Sequence, residues 1–199
     1  MIRRRRQISF YQKKKKKNTS KVFAEIFSFL GITAFAVVLA ILLVMAFGMQ
    51  TKVIGDSMEP ILYNGQTVLV NRAFIKIFSP KTGDIVVFLP NGNVNSHYYI
   101  KRIVACPGDT VQITDGVLYV NGEAADENEM YDKMEDSGIA GNEIKLASGE
   151  YFVLGDNRNS SEDSRSANIG VVKQSMMIGQ VWFRLKTENG SAGPVINNY

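Results

Sequence analysis

The sequence predicts an all-β folded domain, compact and barrel-like, preceded by one transmembrane α-helix. Three observations carry that reading. From Ile26 to Met49 the chain runs 24 residues without a charge, enough at about 1.5 Å per residue to cross a hydrocarbon core of roughly 30 Å with some tilt. Beyond Gln50, short runs of β-branched and aromatic residues alternate with Gly, Pro, Asn and Asp, the rhythm of strands and turns. No segment of that region has a convincing amphipathic helical period, which leaves a compact sheet or barrel as the way to bury the apolar residues.

The chain has 199 residues, room for one sizeable domain and one appended element. Its first part is a basic arm, residues 1–21, with no apolar periodicity and the composition of a disordered segment. Residues 1–25 hold ten Lys and Arg against Glu25 alone, a net of +9, while the remaining residues carry thirteen basic and eighteen acidic side chains. Such a run directly before an apolar segment reads as a topology signal held near anionic lipid, not as a nucleic-acid-binding patch. The transmembrane helix is placed at residues 22–49, its N-terminal flank in the cytoplasm and all that follows outside. A cleavable signal peptide competes, since Ala46-Phe47-Gly48 is a small-x-small pattern. The apolar run is too long for one, whose core spans about 7–15 residues. Cys106 is the only cysteine, so no intramolecular disulfide forms.

The extracytoplasmic domain is placed at 50–188. Its strands are Thr67–Asn71, Ile85–Leu89, Tyr98–Ala105, Thr110–Ile113, Val117–Val120, Tyr151–Leu154 and Ile178–Leu185. Asp115-Gly116 joins two of them as a hairpin turn. The stretch 123–148 breaks the rhythm with many acids, few β-branched residues, Gly138 and Gly141, and reads as a solvated surface insertion. Residues 189–199 read as a flexible tail.

Chemistry is suggested first by Gly55-Asp56-Ser57-Met58-Glu59-Pro60, where Ser57 is a candidate nucleophile in need of a base. His97 is the only histidine and a Ser-His-Asp arrangement would use it. Ser96, Tyr98 and Tyr99 beside it supply no carboxylate, though one could come from elsewhere in the chain. Four residues on, Lys101 shares one face of a strand with Tyr99 and Ile103. A lysine among apolar neighbours is desolvated; lowering its pKa from ~10.4 to around 8 costs about 3 kcal/mol, within reach for one group. The dense polar loop from Gly155 to Arg165 follows an apolar strand and has the composition of an ordered network.

Four motifs, Ser57-Met58-Glu59-Pro60, Gly83-Asp84-Ile85-Val86-Val87-Phe88, Tyr99-Ile100-Lys101-Arg102-Ile103-Val104 with Pro107-Gly108-Asp109, and Gly155-Asp156-Asn157-Arg158 through Asp163-Ser164-Arg165, together resemble the bacterial type I signal peptidases. The resemblance spans nearly all of residues 25–185, and the single membrane helix is similar to the Gram-positive, single-pass members. It implies a cofactor-free, metal-free serine endopeptidase in the cell membrane that cuts N-terminal signal peptides from exported preproteins after a small-x-small segment. By resemblance, Ser57 is the nucleophile and Lys101 the general base. Ser161 is the hydroxyl that orients the lysine. Asp156 and Arg102 form a supporting ion pair, and Asp163 and Arg165 brace the site. Val53, Met58, Leu62, Tyr99 and Ile100 line shallow pockets for small side chains. Gly55 departs from members that place a serine there and use its hydroxyl in the oxyanion hole, so the hole rests on backbone N–H groups, chiefly that of Ser57.

Seven residues separate Met49 from Ser57, so at ~3.3 Å per residue the nucleophile lies within about 27 Å of the helix end. Preprotein and membrane lipid are the partners this implies, with strand addition as the means of holding an extended substrate. A self-cleaving repressor with the same dyad carries a DNA-binding domain where this chain has its helix. An assembly factor for surface structures such as pili typically lacks the dyad, and here both members are present.

Overall fold

The computed structural model describes residues 19–93, 96–125 and 131–195. The disorder expected of the basic arm falls on residues 1–18, outside that set. The chain divides into two units, 1–43 and 44–199. The first contains most of helix α1 (Thr19–Phe47), whose segment Ser20–Val44 is apolar, long enough to cross a membrane and exposed throughout. An all-round apolar surface suits lipid and not water. The helix stops at Phe47, two residues before the expected end at Met49, because Gly48 opens a strand there.

The second unit is built from strands β1 (Gly48–Lys52), β2 (Thr67–Asn71), β3 (Ile85–Phe88), β4 (Tyr99–Ala105), β5 (Thr110–Thr114), β6 (Val117–Val120), β7 (Glu123–Ala124), β8 (Ile144–Lys145), β9 (Glu150–Leu154), β10 (Val172–Lys173), β11 (Met177–Arg184) and β12 (Gly193–Pro194). All seven strands expected from the sequence form, within two residues at each end. One sheet has the order β1-β2-β11-β3-β4-β9-β10, with β12 on β11; a smaller one has the order β7-β6-β5-β8. Every strand pairing among the described residues is antiparallel, as short hairpin-like connections allow.

A short helix, α2 (Arg72–Ile77), corrects the expectation of a purely β domain. The Asn71 side-chain oxygen accepts from the backbone N–H of both Ala73 and Phe74 at 3.1 Å, which caps the helix and turns the chain out of β2. The Asp115-Gly116 hairpin forms with both residues at positive φ, and Asn121-Gly122 makes a second turn of the same kind between β6 and β7.

Three apolar clusters fill the domain. Val53, Met58, Leu62, Val87 and Ile100 belong to one, Val86, Ile103, Tyr151 and Val153 to another. The third joins Phe152 and Leu154 of β9 to Val111, Ile113 and Leu118 of the small sheet. Met134, Ala140 and Leu146 are buried in it too, so the stretch 123–148 is not simply solvated: its described residues supply core side chains and two short strands. Their sparse apolar residues are spaced irregularly, which hides them from a period-based reading. The tail expected to be flexible from residue 189 is held through residue 195. Gln66, fully buried, donates to the carbonyls of Leu185 and Ser191, and β12 pairs with β11.

Candidate active site

Ser57 sits in a tight turn fixed from several sides. The N–H of Gly55, at φ +81°, donates to the Asn64 side chain at 3.1 Å, and Leu62 N–H donates to the Met58 carbonyl at 2.8 Å. The backbone N–H of Asn157 donates to the Ser57 carbonyl at 3.1 Å, which ties this turn to the polar loop 155–165. Positive φ at residue 55 is a conformation that glycine adopts without strain.

Lys101 comes from the middle of β4, flanked by β3, where Val86 lies opposite it, and by β9. With both edges of the strand paired, the residue is only 3% exposed although it lies under a groove. Its Nζ lies 2.6 Å from Ser57 Oγ. Desolvation lowers the lysine from 10.5 to about 8. The negative charge of Asp163 opposes this most, Glu162 and Asp156 less, while Arg165 adds to it. About a tenth of Lys101 is therefore an uncharged amine at pH 7 and about half of it at pH 8, able to accept a proton from the hydroxyl it touches.

The charged residues of the loop are arranged as pairs. Arg102, next to the lysine in β4, donates through Nε and Nη2 to the two carboxylate oxygens of Asp156 at 2.7 Å each, and through Nη1 to the Gly83 carbonyl at 2.8 Å. Asp163 receives Arg165 Nε at 2.9 Å and Nη2 at 3.0 Å, and the Gly155 N–H at 3.1 Å. Both pairs are buried, and such pairs hold geometry more than they add stability.

A groove of about 490 Å³ opens over the pair, lined by Val53, Met58, Tyr99 and Ile100 along with Ser57 and Lys101. Leu62, expected among the pocket residues, is 0% exposed and packs beneath that lining instead. His97 is exposed at the groove, next in line to Ser96 and Tyr98. Tyr99 donates its hydroxyl to Glu162 at 3.0 Å. Ser161 Oγ is buried and has no hydrogen-bond partner among the described residues, so the expected bond to the lysine is not made in this structure.

The family model described as signal peptidase, peptidase S26, matches residues 26–186. The chain belongs to that family. Among similar proteins, a signal peptidase I of Bacillus licheniformis is 33% identical over 166 residues, covering 79% of this chain and 87% of the relative. A signal peptidase IB of Staphylococcus aureus (strain COL) is 36% identical over 145 residues, covering 65% and 73%. A crystal structure of a signal peptidase I from Enterococcus faecalis V583 is 30% identical and covers 51% of this chain and 96% of that one, with a TM-score of 0.38.

Gly155 is a site residue the sequence reading missed. A Cβ there would stand 2.3 Å from Ser161 Oγ and 2.5 Å from the Ser57 carbonyl oxygen, so only glycine lets the loop close on the Ser57 turn. Its signal was present: it is the one apolar position in an eleven-residue polar run.

Proposed function

We propose that this chain is a membrane-anchored serine endopeptidase that removes N-terminal signal peptides from exported preproteins, with Ser57 as nucleophile and Lys101 as general base. The observation that carries the reading is the 2.6 Å approach of Lys101 Nζ to Ser57 Oγ at the floor of a groove.

In this mechanism the preprotein lies extended in the groove, its small side chains over Val53, Met58, Tyr99 and Ile100. Neutral Lys101 takes the Ser57 proton as Oγ attacks the scissile carbonyl carbon. The oxyanion that forms is met by the Ser57 backbone N–H, since Gly55 has no hydroxyl to offer. As the C–N bond breaks, Lys101 returns the proton to the leaving amine of the mature protein. Water then enters, gives a proton to Lys101 and attacks the ester carbonyl; as the bond to Oγ breaks, Lys101 passes that proton to Ser57 Oγ, which releases the signal peptide and restores both residues. Ser161 steers the lysine once substrate closes the site, while the Arg102–Asp156 and Asp163–Arg165 pairs keep the surrounding backbone in place.

Helix α1 anchors the enzyme, with the basic arm cytoplasmic and the domain from residue 50 outside. Incubating the purified protein with a preprotein and sequencing the new N-terminus tests the activity: a single cut after a small-x-small segment supports it, and an intact preprotein with wild-type enzyme refutes it. Protease added to intact protoplasts should digest epitopes beyond residue 50 and spare an N-terminal tag; the opposite pattern overturns the orientation.

A further inference from the structure

The 131–141 segment, within the acidic insertion, packs against the loop that carries the catalytic network. It is anchored first in the core, where Met134 and Ala140 are buried beside Phe152 and Leu154 of β9, the strand that leads into loop 155–165. Met134 N–H also donates to the Gly116 carbonyl at 3.0 Å, which fixes the segment to the β5–β6 turn. From that base it holds the loop at three residues. Asn159 accepts the Glu135 N–H at 3.0 Å and donates its amide to the Lys133 carbonyl at 2.9 Å. The guanidinium carbon of Arg158 stands 4.1 Å from the centre of the Tyr131 ring. Arg165 is gripped through both ends: its carbonyl accepts the Ile139 N–H at 2.9 Å and its Nη1 donates to the Asp136 carbonyl at 3.2 Å.

Close approach at Arg165 depends on Gly138. That residue has φ +53°, and a Cβ on it would lie 2.2 Å from the Arg165 carbonyl oxygen. Arg165 in turn holds Asp163 by three hydrogen bonds, two from its guanidinium and one from its backbone N–H, and Asp163 receives the N–H of Gly155, the residue pressed against the Ser57 carbonyl. An unbroken series of short contacts thus runs from the insertion to the nucleophile's turn.

We infer that segment 131–141 is a brace that positions the reacting pair, holding Arg165 so that loop 155–165 stays closed on Ser57, with Gly138 in the brace and Asn159 in the loop it grips as the positioning residues. The inference rests on the Ser57–Lys101 reading. Neither residue touches the groove, so a loosened brace leaves the groove lining intact while the loop drifts from the pair, and a displacement of about 1 Å is enough to slow a reaction strongly. The same drift admits water to Lys101, favouring its charged form.

The test uses full-length Gly138→Ala and Asn159→Ala enzymes with a preprotein substrate, far-UV CD and melting as folding controls, and Lys101→Met alongside. The brace predicts that both folded variants lose about tenfold in kcat with little change in KM, and that the ascending limb of kcat against pH moves to higher pH. A role confined to stability would leave that limb in place. Folded variants with wild-type kcat and pH limb, or a loss carried by KM alone, overturn the brace. If Gly138→Ala does not fold, Asn159→Ala decides by the same criteria. An active Lys101→Met would sink the dyad itself, whereas an inactive Lys101→Met beside two wild-type-like brace variants sinks the brace alone.

Discussion

Lys101 Nζ reaches Ser57 Oγ at 2.6 Å across 44 residues of sequence, from the centre of a buried strand to a turn outside the sheet. Two forces act on that amine. Burial drives it toward the uncharged state, and the carboxylates of Asp163, Glu162 and Asp156 hold it back, leaving it at about 8. That balance suits the proposed role, a base strong enough to take a serine proton and neutral often enough to be available.

If the pair acts as a unit, removing either member should remove the same step. Ser57→Ala and Lys101→Met should each nearly abolish preprotein cleavage, and the double variant should be little worse than either, because residues acting together are not additive. His97→Ala should keep most of the activity, since His97 is exposed at the groove and the lysine already contacts the hydroxyl. Initial rates on a preprotein settle this; multiplicative losses in the double variant would separate the two residues.

Burying Lys101 costs folding stability, and the sign can be worked out. The folded value of about 8 lies below the unfolded 10.5, so between those pH values the unfolded chain holds a proton that the native state has released. Stability therefore rises with pH across that window and carries the full cost, roughly 3 kcal/mol at ~1.36 per unit, below it. Lys101→Met should melt several degrees higher than wild type at pH 7, with the gain shrinking as the pH is raised toward 10.5. A variant that melts lower at pH 7 would show that the amine contributes net stability.

Much of this arrangement can be read from the chain. Strand runs such as Ile85–Phe88 and Tyr99–Ala105 carry their own period and boundaries, and the motifs around Ser57, Lys101 and Asp156 stand out as polar groups against apolar strands. What stayed hidden depends on long-range packing. Helix α2 is six residues long and rests on the Asn71 cap, too short to display a period. The core role of Met134 and Ala140, and the hold that residues 131–141 have on Arg165, arise from contacts across the fold that no local pattern records. Leu62 passes for a pocket residue because a sequence cannot tell the lining of a groove from the layer beneath it. The Asn121-Gly122 turn carries a strong hairpin signal in its own dipeptide, but the strand after it, Glu123–Ala124, is too short and too polar to read as one.

Closure of loop 155–165 on the nucleophile makes a further pair of expectations. Gly155→Ala should lose nearly all turnover, because its methyl group would occupy the space of Ser161 Oγ and the Ser57 carbonyl. Ser161→Ala removes a buried hydroxyl that has no partner here, so it should fold as well as wild type and lower kcat by about 10- to 100-fold if that hydroxyl steers the lysine. Single-turnover cleavage with far-UV CD as the control checks both. Wild-type turnover in Ser161→Ala would remove that residue from the site.

Whether a desolvated lysine is the base can be read from the pH dependence of kcat/KM on a preprotein, which reports the essential groups of the free enzyme. Neutral Lys101 is the active form, so the rate should climb through a limb near pH 8, and His97→Ala should show the same limb. A limb well below pH 8 that disappears in His97→Ala would make the histidine the base instead.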